Sequence, residues 1–302
     1  MLVTTAPATR APLFTPRVLV ALALISLYLI WGSTYLAIRV ALESFPPFGM
    51  AAIRFLTTGA VMYAFLRWRG TAAPTARQWR NCAITGTLLL GFGNGLVCYA
   101  EQSVSSGVAA VAVACMPLFA AVFGAYFGHW PRRLEAVGLL IGFAGVVVLN
   151  FGGDLRSSPI GAIALIAAAS AWAFGSLWSK RQDMPAPMMN TAAQMLTGGV
   201  ALSILAALGG EHLPGAVSVR SLLALIYLAV FGSLIAFAAY LYLLKTVRPA
   251  LATSYAYVNP PVAVLFGVVI GGETVHALDL AGMAVILAGV AIIALAREAK
   301  TG

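Results

Sequence analysis

Apolar runs of about 20 residues recur from one end of the chain to the other, and a helix of that length spans a bilayer's hydrocarbon core of roughly 30 Å. Ten such runs can be marked, at residues 17–40, 47–67, 79–100, 105–127, 135–151, 159–179, 188–209, 219–244, 249–270 and 277–296. They predict an all-α polytopic membrane protein. Strict alternation over segments of about 10 residues, the mark of a membrane β-barrel, is absent. Only 9% of the 302 residues are charged and 61% are hydrophobic, whereas a soluble domain carries about 25% charged residues. The chain therefore lacks the polar material to cover a water-soluble enzyme. Its net charge of +9 does not point to nucleic acid, because the basic residues sit in short clusters between the apolar runs. Arg17 precedes an apolar run reaching Val40, too long for a signal peptide, so the run reads as a first transmembrane helix. Cys82, Cys98 and Cys115 lie inside apolar runs without metal or disulfide spacing and read as small packing residues.

Charge placement tests the count of ten. Alternating the loops puts Arg10, Arg17, Arg67, Arg69, Arg77, Arg80, Arg132, Arg133, Lys180, Arg181, Lys245, Arg248, Arg297 and Lys300 on one side. The other side receives only Arg39, Arg156 and Arg220, together with Glu43, Glu101, Asp154, Glu211, Glu273 and Asp279. The excess of Lys and Arg marks the cytoplasmic side. Both termini are expected there, in a bacterial inner membrane. A disordered tail is expected over residues 1–16 and a short tail over 297–302.

The two halves echo one another. Trp31 and Arg39 match Trp172 and Lys180 at the same spacing of eight, and Pro46 matches Pro187 at the same offset of 141. Tyr99 and Pro117 match Tyr242 and Pro260, Phe123-Gly124 matches Phe266-Gly267, and Gly138 with Ala144-Gly145-Val146 matches Gly282 with Ala288-Gly289-Val290. The offset drifts only from 141 to 144, as a duplication with small insertions would leave it. Residues 17–151 and 159–296 are thus read as two five-helix units. An odd number of helices turns the second unit upside down. Inverted repeats of this kind build secondary transporters whose substrate site lies near the midplane between them.

Several motifs carry a family likeness. They are Ile30-Trp31-Gly32-Ser33-Thr34 in span 1, Ala52-Ile53-Arg54-Phe55 in span 2, and Gly272-Glu273-Thr274 followed by Gly282 and Leu287-Ala288-Gly289-Val290. Over about residues 18–296 the chain resembles the EamA-type members of the drug/metabolite transporter superfamily, and within them looks most like the YddG-type amino-acid exporters. It departs from the pattern at His129-Trp130, where the first repeat would carry Gly-Glu. The resemblance implies ten helices, a central cavity, no cofactor, and transport of small metabolites, often outward.

Polar groups at membrane depth mark the candidates for substrate contact. Arg54 lies roughly eight residues into span 2, about 12 Å deep at 1.5 Å per residue. It reads either as a cation that meets a carboxylate or as an internal brace. Span 9 carries Thr253, Ser254, Tyr255, Tyr257 and Asn259 and then Pro260 and Pro261, which remove two helical N–H donors and free carbonyls one turn earlier. Such a defect persists in a membrane only beside protein or a watery cavity. Pro117 is the counterpart kink in span 4. In span 3, Gly91, Gly93 and Gly95 surround Asn94 and suggest close helix approach or a locally loosened helix, with Asn94 open to an interhelical bond or a ligand. Trp31 and Trp172 sit near mid-span rather than in the interfacial belts. With Thr34, Tyr99, Ser176 and Tyr240 they are candidates for the walls of a pocket. The glycines at 138, 142, 145, 282 and 289 form small-residue stripes suited to close packing, within one chain or across a homodimer.

A membrane enzyme has nothing to work with, since His129, His212 and His276 lie in loops without HExxH spacing and no carboxylate pair sits at depth. A channel would need charged rings or a filter loop. The expected function is export of amino acids, aromatic or bulky apolar ones favoured, by alternating access, with the lipid bilayer as solvent and no metal. The alternative is export of lipophilic drugs or other metabolites on the same scaffold. Glu101 is the single acid near membrane depth and falls at the outer end of span 3, which favours facilitated diffusion or exchange over proton antiport.

Overall fold

The computed structural model describes residues 15–126, 128, 130, 131, 133–151, 158–212, 215–247, 251 and 254–298. Among them are ten helical rods and no strand. They run α1 Pro16–Ala41, α2 Pro47–Trp68, α3 Ala76–Ala100, α4 Ser106–Tyr126, α5 Arg133–Asn150, α6 Pro159–Ser179, α7 Pro187–Leu208, α8 Val219–Thr246, α9 Tyr255–Val269 and α10 Ala277–Glu298. Seven of them are long and apolar enough to cross a membrane by length and composition. The chain is a polytopic α-helical membrane protein. Most of both expected tails lies outside the described residues.

Helix starts repeat between the halves. In α1 and α6, the first helix of each half, Pro16 and Pro159 stand at the first helical position behind Thr15 and Ser158. Proline fits there because its missing N–H would have had no helical partner. The hydroxyl before it accepts from a first-turn amide, Val18 N at 3.5 Å and Gly161 N at 3.2 Å. The second helices, α2 and α7, both begin on proline.

Packing follows the same symmetry. Helix α1 packs on α8 and α9, and its counterpart α6 packs on α3 and α4, while α2 pairs with α7, α5 with α10, and α4 with α9. Each of these contacts either maps onto another or onto itself when the halves are exchanged. Outward-facing positions are apolar, such as Leu19, Leu22, Ile25 and Leu29 on α1, where lipid is the solvent. Between the halves lies a core of Met50 and Phe55 on α2, Met195 and Leu202 on α7, and Leu228 on α8.

Helices α3 and α8 are not uniform. Residues Thr87–Asn94 and Leu228–Ile235 form π-helical segments inside otherwise α-helical rods. The two segments stand 141 residues apart (87 to 228, 94 to 235), the same offset as Trp31 to Trp172. The glycines around Asn94 signal the first; the second carries only Gly232-Ser233 and was not anticipated. Helix α4 breaks between Val113 and Met116, just ahead of Pro117, as a proline that evicts the preceding turn requires. Helix α9 carries Pro260 and Pro261 inside. Irregular backbone thus falls on α3, α4 and α8, whereas α9 stays α-helical through its two prolines; these four surround the centre with α1, α2 and α6.

Candidate functional site

A cavity of about 140 Å³ lies where those helices meet. Its floor and walls draw on both halves: Trp31, Thr34 and Tyr35 from α1, Arg54 from α2, Asn94 from α3, Pro117 from α4, Trp172 from α6, Phe237 from α8, and Tyr255, Asn259 and Pro260 from α9. The lining is predominantly apolar and aromatic with a few polar groups, the usual constitution of a small-molecule site.

Arg54 is buried and divided between two jobs. Its Nε–H donates to Ser233 Oγ at 2.9 Å, and Ser233 in turn donates to Leu228 O at 3.2 Å. Residues 228 and 233 are five apart, the spacing of a π turn, so the arginine is anchored on the π segment of α8. Its guanidinium stands 4.8 Å from the centre of the Phe55 ring. The neighbouring Gly232 leaves room for the fork, since a Cβ there would come within 3.0 Å of Arg54 Nη2. The remaining nitrogen, Nη1, is buried with no hydrogen-bond partner. Asn259 on α9 likewise has a buried Oδ1 with no partner. Two residues of the cavity lining thus carry one unused donor and one unused acceptor, both buried, and each costs free energy unless something binds it.

The aromatic wall is built around Trp31. Its Nε1–H donates to Gly232 O at 3.1 Å, and its ring meets Phe237, Tyr240 and Tyr255 at centroid distances of 5.3, 5.5 and 4.8 Å. These edge-on and tilted geometries are the favoured ones for aromatic clusters. Trp172 comes from the other half and rests on Gly93, where a Cβ would lie 2.8 Å from Trp172 Cε3. The glycine beside Asn94 thus lets an indole pass against the π segment of α3.

Of the residues marked from sequence, Trp31, Thr34, Arg54, Asn94, Pro117, Trp172, Asn259 and Pro260 meet at this cavity. Tyr240 stands behind it, packed on Trp31 and Tyr255. Ser254 is tied to Tyr28 at 2.5 Å and to Leu251 O at 2.7 Å. Tyr99 stacks on Phe48 at 5.9 Å, and neither it nor Ser176 is among the lining residues; Pro261 is exposed. Thr253 and the side chain of Tyr257 lie outside the described residues. Tyr35 and Phe237 are lining residues that the sequence did not single out, whereas Tyr255 belongs to the marked run of span 9 and also lines the cavity. The Gly stripes of α5 and α10 face each other within the chain, with Gly145 against Ile286 and Gly289 against Gly142.

At the end of the bundle opposite the termini, acids of the second half cap helices of the first. Glu211 Oε1 and Oε2 accept from Phe48 N at 3.2 Å and Gly49 N at 2.7 Å at the start of α2. Glu273 accepts from Ser106 N at 2.9 Å and Gly107 N at 3.2 Å at the start of α4, and its Oε1 pairs with Arg39 Nη1 at 3.4 Å. Carboxylates at helix N-termini meet free amides and the positive end of the dipole. Among the described residues no group of three or more His, Cys, Asp or Glu side chains is placed to hold a metal.

The family model described as "EamA-like transporter family" matches residues 18–151 and 159–295. The chain is 49% identical over 276 residues, 91% of its length and 90% of the relative's, to a protein of Escherichia coli K12 named "Uncharacterized inner membrane transporter YedA". It is 26% identical, over 87% of its length and 90% of the other's, to a Salmonella typhimurium protein named "Probable amino-acid metabolite efflux pump". A solved crystal structure 24% identical in sequence shares the fold with a TM-score of 0.64, covering 92% of this chain and 98% of that one.

Proposed function

The chain belongs to the EamA-like transporter family, and from that premise we propose that it is an inner-membrane carrier exporting amino acids with aromatic or bulky apolar side chains. Its cavity is the substrate site, reached alternately from the two faces as the halves rock. The observation that carries this reading is the pair of buried, unused polar atoms on Arg54 and Asn259, two residues that line a largely apolar, aromatic chamber. Arg54 Nη1 suits a substrate carboxylate, and Asn259 Oδ1 suits an ammonium. A zwitterion offers both groups, and the rings of Trp31, Trp172, Phe237 and Tyr255 suit its side chain. The Salmonella relative's name is consistent with such a cargo. A lipophilic drug would satisfy the aromatic wall but leave both polar atoms unpaired.

Purified protein in liposomes preloaded with unlabelled substrate tests the reading by counterflow of a radiolabelled amino-acid panel. Saturable exchange of aromatic and large aliphatic amino acids is expected, with amines and acids that lack the second charged group exchanged at least tenfold less well. Exchange of lipophilic cations with no amino-acid exchange would favour the drug-export alternative.

A further inference from the structure

One acid takes no part in capping. Glu101 follows the last residue of α3, is 2% exposed, and neither carboxylate oxygen has a hydrogen-bond partner. It lies in the seam where the halves are fastened at the end opposite the termini. The charged and titratable groups around it are Tyr35 and Arg39 of α1, Cys98 of its own helix, and Glu273 of the last interhelical loop. Arg54 and Glu211 also bear on Cys98. Arg39 and the two amides at the start of α4 are already committed to Glu273. Two buried carboxyls therefore share one guanidinium, and only one of them has donors of its own.

We infer that Glu101 is a proton-binding site whose occupancy is linked to closure of this end of the carrier, with the proton held while the seam is closed and released to water when it opens. The inference rests on the transporter reading of the cavity. Ala100, Val104 and Ser106, which flank the acid, are all buried, so in the closed form an ionised Glu101 would sit without water, donor or private counter-charge. Burial, and then the charge of Glu273, push its carboxyl well above the usual range, against the opposing pull of Arg39. Opening requires the last loop to leave the start of α4, which admits water to Glu101 and returns it toward an ordinary carboxyl. The sign follows. Closure takes up a proton, so acid favours the closed end, and closure is lost as pH rises through the closed-state value. Between the open and closed values the closed-to-open ratio falls by up to tenfold per pH unit, the limit for one linked proton. Tyr35 lies within range of the Glu101 charge and also lines the cavity, so the site borders the substrate chamber.

Spin labels on Gln102→Cys and Thr274→Cys, both exposed positions on opposite lips of the seam, read the closure directly. The three native cysteines are buried. Pulsed electron–electron resonance distances in lipid from pH 5 to 9, without substrate, are expected to shift from one short population to a longer one as pH rises. Glu101→Gln, a neutral isostere of the protonated acid, is expected to hold the short distance throughout. Glu101→Asp keeps a titrating group and is expected to keep the response with a displaced midpoint, which serves if E101Q does not survive purification. Distances in the unmodified background that ignore pH, or an E101Q protein that responds like it, would overturn the inference. Because no substrate is present, these outcomes are independent of whether the carrier moves amino acids.

Discussion

At Arg54 a single side chain both fastens two helices and leaves a donor over, a division that depends on the planar fork of arginine. Lysine would carry the same charge but as a point group unable to hold Ser233 and meet a ligand from a fixed direction. Arg54→Lys is therefore expected to raise the half-saturation concentration for amino-acid counterflow at least tenfold, about 1.4 kcal/mol. Arg54→Ala is expected to add a stability loss of about 1–3 kcal/mol, because Ser233 Oγ loses its donor in a buried place; thermal unfolding in detergent reads that difference. Gly93 makes a second residue-scale case. A methyl group 2.8 Å from Trp172 Cε3 forces the indole inward, so Gly93→Ala is expected to depress exchange of tryptophan more than that of leucine, measured as the ratio of their initial rates.

Elements repeat what residues do singly, and here the sequence was legible unevenly. The ten rods follow from run length and from charged loops, because at membrane depth a helix is almost the sole way to satisfy the backbone. Trp31, Trp172 and Asn259 stood out because polar or interfacial side chains at mid-span carry a penalty that calls for a reason. Tyr35 and Phe237 did not. On a helix whose lipid face and cavity face are both apolar, an aromatic side chain gives no sign of which way it points. The π segment of α8 was hidden for a related reason: Leu228–Ile235 is apolar throughout, so shifting its register changes no pattern. The Gly stripes could be read as an internal seam or a dimer face, and the structure uses them inside the chain. A Cβ on Gly289 would stand 2.5 Å from Gly142 N, with backbone rather than a flexible side chain in the way. Gly289→Ala is expected to part α5 from α10 at a cost of about 1–3 kcal/mol, seen as a lower unfolding temperature with the relative rates of different substrates unchanged.

The whole molecule is two halves fastened differently at its two ends: beside the termini, Gln78 and Asn81 of α3 each donate to Asp183 at 3.0 Å. Opposite the termini, Glu211 and Glu273 reach from the second half to helix starts in the first, and each makes two charge-assisted bonds to amides. Such bonds contribute about 1.5–3 kcal/mol apiece at most, while the exposed Arg220–Glu43 pair at 3.6 Å contributes roughly 0–1 kcal/mol. The two capping acids therefore dominate this end. Under alternating access, whatever weakens them shifts the population toward a form open there, by about tenfold for each 1.4 kcal/mol. Glu211→Gln keeps the shape of the side chain but replaces one acceptor oxygen with an amide nitrogen, which cannot accept from Phe48 or Gly49. It is expected to lengthen the distance between labels at positions 102 and 274 at every pH. Neutralising Glu101 acts in the opposite direction, since that acid opposes closure when charged whereas Glu211 and Glu273 promote it. Three carboxyls at one end of one bundle thus divide by sign. The double variant Glu101→Gln with Glu211→Gln separates the two effects: an intermediate population without pH dependence is expected, and a distance that still moved with pH would assign the titration to another group.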